Sequence, residues 1–279
     1  MKRIWGLMTL ALATAFGVQA DETKTAPAGD WVTVKGKIVW DEAKGAPPKR
    51  TPIKATKDEE VAAKDKEFLT EDWVVNTKNG GIKNVVVWLA PEPTAAQLAD
   101  LKSKKLKVFP SFDPKDVNPA MAKPVKPTVE IDQPCCRFIP HIVVAQEGQK
   151  LVIKNSSIIP HNAKYVGNEN GEGNPLIPAG GAFTLPNPLV KEKFPVELSC
   201  SIHPWMKAYI RVFDHPYFAV TDADGNFEIK NAPVLKGKLR MFVWQDNGYS
   251  GGAAGAQGST FDVKPGTLDR GAIKFDVPQ

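Results

Sequence analysis

Seven residues in the last third of the chain place the strongest constraint on how it can fold. The stretch from Cys200 to Met206 reads CSIHPWM. Its thiol, imidazole and thioether, on Cys200, His203 and Met206, are all ligands of soft metal ions. β-type runs flank it at residues 194–199 and 207–213. The three ligands are therefore predicted to lie at the end of one strand and in the tight loop to the next.

The donor types in this loop indicate copper. A thiolate and a thioether favour Cu(I), imidazole accepts both oxidation states, and two His, one Cys and a distant axial Met form an electron-transfer copper geometry. Such a site needs a second histidine. His161 supplies one, shortly after the apolar run from Gly148 to Asn155.

These patterns resemble the cupredoxins, the family of blue, or type 1, copper proteins. The loop has the short ligand spacing of the amicyanin and plastocyanin type, with a proline after the histidine and an aromatic residue before the methionine. The resemblance covers residues 127–213. It implies a Greek-key β-sandwich in which His161, Cys200 and His203 are in-plane ligands and Met206 is the axial one. It also implies that His203 is the ligand nearest the surface.

The resemblance implies a carrier of single electrons and not an enzyme. A copper oxidase or nitrite reductase needs several more histidines, and the chain has 4, of which two are already assigned. The expected partner is a redox protein such as a c-type cytochrome or a dehydrogenase. It would dock on an apolar patch around His203 that comprises Ile158, Ile159, Pro160, Pro204 and Trp205.

Two other functions stay open at this stage. One is copper binding or delivery without redox turnover, and the other is a carbohydrate-binding or adhesive surface protein whose copper site has degenerated. Cys136 and His141 are candidates for a second metal site or a variant first shell, because both are predicted near the copper end. His141 could equally be a hydrogen-bonded residue at a strand end. Cys135 and Cys136 could be free thiols or form a disulfide with a partner chain.

The N-terminal residues have the pattern of a secretory signal peptide. Residues 1–20 combine two early cations, an apolar stretch and a small residue before Asp21. We therefore expect a periplasmic or secreted protein with no membrane span after cleavage. Loss of the two cations lowers the formal net charge from +5 to +3. This charge is too small and too dispersed to indicate nucleic-acid binding.

The chain as a whole is predicted to be all-β. Its 22 glycines and 24 prolines, with little helical periodicity, indicate many short strands and turns. After a linker at residues 21–29, residues 30–126 form a β segment with a helical and Pro-rich excursion, where Thr94 can cap a helix. Residues 214–279 form a second β module. The spacing of Asp222, Gly225, Phe227 and Ile229 resembles that of the regulatory β-sandwich beside carboxypeptidases.

Overall fold

The computed structural model describes residues 31–103 and 109–276, and this part of the chain is all-β. The predicted signal peptide, residues 1–20, and the predicted linker, residues 21–29, lie outside it. None of the helices in the described ranges has the length and apolar character needed to cross a membrane.

Twenty strands and three short α-helices form the described part. In chain order the strands are β1 (Trp31–Trp40), β2 (Val74–Val75), β3 (Ile82–Lys83), β4 (Val86–Pro91), β5 (Thr128–Ile131), β6 (Ile142–Gln146), β7 (Lys150–Lys154), β8 (His161–Asn162), β9 (Lys164–Val166), β10 (Glu172–Gly173), β11 (Leu176–Ile177), β12 (Ala182–Thr184), β13 (Val196–Ser199), β14 (Lys207–Phe213), β15 (Phe218–Val220), β16 (Asn226–Pro233), β17 (Lys238–Gln245), β18 (Gly248–Tyr249), β19 (Ser259–Asp262) and β20 (Gly266–Phe275). The helices are α1 (Glu59–Ala62), α2 (Ala95–Lys102) and α3 (Gly252–Gly255), with single 3-10 turns at Glu42–Lys44 and Pro114–Asp116.

The first unit, residues 128–213, encloses one hydrophobic core between two sheets. One sheet has the order β10-β9-β13-β14-β6, and the other has the order β12-β7-β5. β6 runs parallel to β14 and β5 parallel to β7, whereas the remaining neighbours are antiparallel. Period-2 alternation drives this arrangement: in β13, Val196 and Leu198 are buried and Glu197 is exposed.

The second unit is built from both ends of the described chain. One sheet has the order β16-β1-β20, in which β1 runs antiparallel to β16 and parallel to β20. The other has the order β15-β4-β17-β18, with β19 also paired to β17. Residues 30–126 and 214–279 therefore share their sheets. Strands from both segments are needed to complete each sheet.

Strand β4 shows how the two units join. The apolar run at residues 85–89 predicts burial on both faces, and the structure confirms it. Val87 and Leu89 pack into the core of the second unit, while Val86 and Trp88 pack against Ile142 and other side chains at the junction with the first unit. Successive strand residues point to opposite faces, so one continuous apolar run serves two cores.

Residues 50–72 leave the second unit and lie against the first. We call this segment the strap. Val61 and Ala62 of α1 belong to the core of the first unit. Arg137 binds the strap through Asp65 at 2.6 Å and the carbonyl of Glu67 at 3.1 Å. The strap therefore covers the end of the sandwich where the predicted ligands meet.

The predicted helix after Thr94 is also confirmed. α2 begins with a capping box in which the Thr94 hydroxyl accepts the Gln97 N–H and the Gln97 side chain accepts the Thr94 N–H. This reciprocal pair satisfies two of the donors that a helix start leaves free.

Candidate metal centre

Strand ends and tight loops bring the predicted ligands together. β13 and β14 pair as far as Ser199 and Lys207, so residues 200–206 form the loop that joins them. The Met206 N–H donates to the His203 carbonyl at 2.9 Å, and the Cys200 N–H donates to the Met206 carbonyl at 3.3 Å. These bonds close the loop across its own ends and fix the positions from which its side chains point.

The second histidine comes from a separate two-stranded sheet. His161 begins β8, which pairs with β11. Asn155 begins the loop that connects β7 to β8, and it is fully buried. Its side-chain amide donates to the carbonyls of Ile159, Ile177 and Pro178 at 2.9–3.1 Å. One side chain therefore ties the segment that leads into β8 to the end of β11.

His161, His203 and Cys200 meet in the interior. The Nδ1 atoms of the two imidazoles are 3.0 Å apart, and Cys200 Sγ is 3.7 Å from His203 Nδ1. Both histidines are 0% exposed, and Cys200 is 2% exposed. Met206 is also buried, in the same core as the cysteine. The structure thus brings His203 into contact with both His161 and Cys200 and places Met206 in the same closed loop.

Hydrogen bonding fixes which nitrogen of His203 is free. His203 Nε2 is 2.8 Å from Asp58 Oδ2. A carboxylate only accepts, so the ring proton lies on Nε2 and the lone pair of Nδ1 faces His161 and Cys200. A carboxylate that orients an imidazole in this way is a common support for a metal-ligating histidine.

His161 is held in its neutral form. Burial, with the adjacent His203 ring, lowers the pKa of His161 to about 4. Neutral imidazole is the form that binds metals. Within the described residues, His161 Nε2 is buried without a hydrogen-bond partner, whereas Nδ1 is 3.0 Å from His203 Nδ1.

Cys136 joins this group from the loop between β5 and β6. The ligand atoms of Cys136, His161 and His203 all lie within 4.8 Å of one another. Cys136 is fully buried and has a left-handed backbone with φ 53°. Burial, and then the charges of Asp58, Cys135 and Cys200, raises the pKa of Cys136 to about 12. A bound metal ion would supply the positive charge that ionises such a thiol.

His141 does not join the group. Its Nε2 is 3.0 Å from Asp246 Oδ2, and its Nδ1 is 3.2 Å from the Lys207 carbonyl. It lines a cavity of about 570 Å³ together with Met206, but its ring is held between the Lys207 carbonyl of the first unit and the Asp246 carboxylate of the second. The structure thus separates Cys136 and His141, which the sequence suggested as a pair.

His203, predicted to be the ligand nearest the surface, does not reach it. His203 is 0% exposed because the strap covers its outer edge with Asp58. Around it the predicted apolar patch is only partly open: Ile158 is 68% exposed and the two prolines are exposed, but Ile159 and Trp205 are half-buried. Trp205 packs edge-on against Phe68 of the strap.

Sequence reasoning missed Asp58. An Asp before two glutamates at a helix start has the pattern of an ordinary N-cap, and nothing in that pattern indicates a partner 145 residues away. The donors that meet here, two imidazoles with two thiols and a thioether nearby, fit a soft metal ion.

Comparison with known proteins finds likeness in structure only. No protein-family model matches the sequence, and neither does any curated protein. Among solved structures, the chain is similar to a reduced proline-to-phenylalanine mutant of amicyanin, with a TM-score of 0.27 and 19% identity over 31% of this chain and 82% of that one. It is also similar to a purple cupredoxin from Nitrosopumilus maritimus, with a TM-score of 0.25 and 20% identity over 30% of this chain and 99% of that one. These matches span about a third of the chain, and the likeness of residues 214–279 to a carboxypeptidase regulatory module stays a prediction.

Proposed function

We propose that this chain is a type 1 copper protein that carries single electrons between redox partners and is not an enzyme. One observation carries the proposal: two buried imidazoles face each other through Nδ1 at 3.0 Å, and Cys200 Sγ lies 3.7 Å from one of these nitrogens. Two imidazoles and one thiolate are the in-plane donors of electron-transfer copper. Met206, buried in the same loop, would supply a fourth donor.

When bound, copper supplies a one-electron couple between Cu(I) and Cu(II). Hydrogen bonds within the protein fix the positions of the metal-ligand side chains. His161 is anchored by the Asn155 amide, and the other ligands sit in a loop closed by its own backbone bonds. A pocket whose donors hardly move suits both oxidation states, since little reorganisation accompanies the transfer of an electron.

A redox protein such as a c-type cytochrome or a dehydrogenase is the proposed partner, in the periplasm or outside the cell. The open part of the apolar patch, with Ile158, Pro160 and Pro204, gives such a protein a small surface to contact. Small interfaces are typical of transient redox encounters. Because His203 is covered, electrons would leave beside the strap through the half-buried Trp205, whose ring centroid is 5.2 Å from that of His203.

Optical spectroscopy of copper-loaded protein tests the proposal. We expect an intense visible band from thiolate-to-copper charge transfer, a type 1 EPR spectrum and reversible one-electron cycling. The Cys200→Ser variant should lose the band. Wild-type protein that binds Cu(II) without this band, or that cannot be cycled, would contradict electron transfer. Protein that binds no copper at all would favour the carbohydrate-binding or adhesive alternative.

One observation favours a second function, Cu(I) binding or delivery without redox turnover. Cys136 places a second thiol within 4.8 Å of both imidazole donors, and two thiols with a thioether favour Cu(I) strongly. The Cys136→Ser variant separates the two functions. If the protein is an electron carrier, the variant should keep the visible band and the reversible cycling. If it is a delivery protein, the variant should bind Cu(I) more weakly, and neither wild type nor variant should show the band.

A further inference from the structure

We propose that Asp58 is a positioning residue for the metal centre. Its carboxylate holds the His203 ring so that Nδ1 faces the metal site, and the strap places Asp58 beside that ring. This inference rests on the proposed function, because it assigns a support to the same site. It begins from the 2.8 Å contact between Asp58 Oδ2 and His203 Nε2.

The local structure of Asp58 departs from what its sequence position favours. Asp58 is the N-cap of α1, where an aspartate normally has extended backbone and accepts an N–H of the first turn. Here its backbone is left-handed, with φ 50° and ψ 41°, and its side chain makes no capping bond within the described structure. The carboxylate contacts His203 instead. A non-glycine residue held in this conformation needs surroundings that enforce it.

Those surroundings are the contacts that fix the strap. Arg137 binds it through Asp65 at 2.6 Å, and Phe68 packs edge-on against Trp205 of the ligand loop. Trp205 in turn donates its indole N–H to the Cys136 carbonyl at 3.1 Å. The strap, the Cys136 loop and the ligand loop therefore form one connected arrangement around His203.

Three variants separate positioning from folding. Asp58→Gly removes the carboxylate and suits the left-handed backbone. Asp58→Asn keeps an acceptor oxygen without the charge. Glu59→Gln is the matched control, since Glu59 is exposed in the same short helix.

The first measurement uses metal-free protein. Nitrogen NMR of the histidine rings should show His203 with its proton on Nε2 in wild type, in Asp58→Asn and in Glu59→Gln. In Asp58→Gly this tautomer should no longer be fixed, while the thermal midpoint stays near that of wild type. An unchanged His203 tautomer in Asp58→Gly would overturn the proposal.

The second measurement uses copper-loaded protein. We expect Asp58→Gly to lose about 10- to 100-fold in copper affinity, as removal of a support of this kind does elsewhere, and Asp58→Asn to recover most of it. The reduction potential should rise in both variants, because an anion near copper favours Cu(II). Equal affinity in Asp58→Gly and wild type, or an equal loss in Glu59→Gln, would overturn the proposal. If wild-type protein binds no copper, the proposed function fails, and the tautomer of the metal-free protein still decides the role of Asp58.

Discussion

The two cores of this molecule differ in what they enclose. The core of the first unit surrounds His161, His203 and Asn155 together with two cysteines, all within the interior. The second unit packs aliphatic and aromatic side chains such as Leu89 and also buries polar ones, Asn118 and His215 among them, but within the described residues the cluster of histidine and cysteine ligand atoms lies in the first. Buried polar groups and left-handed backbone at Cys136 and Asp58 lower stability unless neighbours compensate for them. The comparison indicates that the second unit supplies packing and the first concentrates the chemistry.

The largest expected effect is the loss of the visible copper band when a ligand in the core of the first unit is replaced. Cys200→Ser should abolish the visible copper band, because the band needs the thiolate. Cys135→Ser is the matched control, since Cys135 is only half-buried and lies next to the site. The absorption spectra of the two loaded variants check this. If Cys135→Ser also removed the band, the ligand set would need revision.

The next largest effect is a loss of stability when the core of the second unit is truncated. Leu89 is fully buried in β4, so Leu89→Ala should lower the free energy of unfolding by about 2–5 kcal/mol. The copper spectrum of the folded variant should match that of wild type. Urea unfolding and absorption measure the two effects, with Leu176→Ala as the control because Leu176 is 62% exposed. A shifted spectrum would mean that packing in the second unit also affects the geometry of the metal site.

A polar residue of the first core should affect both properties at once. Asn155→Ala leaves three carbonyls without their donor, and we expect a loss of about 1–3 kcal/mol in the free energy of unfolding. The His161 loop should loosen, which would broaden the copper EPR lines. Asn187→Ala, at an exposed position, is the control. Sharp EPR lines in Asn155→Ala would show that His161 is held by other contacts.

The smallest expected effect concerns the junction of the two units. Burial lowers the pKa of His141, but the hydrogen bond with Asp246 and the charges of Asp246 and Glu71 outweigh it, so the pKa is raised above 6.5. A raised pKa stabilises the folded protein fully below the unfolded-state value. This contribution is lost as the pH rises through the folded-state pKa.

His141→Gln should therefore flatten the decline in the free energy of unfolding that begins as the pH rises above about 6.5. Denaturant unfolding of wild type and variant across this range measures it. Parallel curves for the two proteins would mean that His141 does not titrate differently on folding.

Much of the first unit could be predicted because its signals are local. The spacing of Cys200, His203 and Met206 between two β-type runs predicts their common loop, and Thr94 predicts the start of α2 from its own sequence neighbours. Asp58 could not be placed, since it reaches the site through a contact between segments far apart in the chain. Cys136 is predicted near the copper end, but nothing in the sequence indicates that it meets the two histidines while His141 does not. Alternation along β1 identifies a half-buried strand, but alternation does not say which strand is its partner.

The parallel pairing of β1 with β20 has a consequence for the order of events during synthesis. Every strand of the metal-binding unit, and the strap that covers it, has been synthesised once Phe213 is added, whereas the sheet that contains β1 waits for residues 266–275. Domains generally fold as units, in the order of their synthesis. The ligand pocket can thus close before the molecule that carries it is complete.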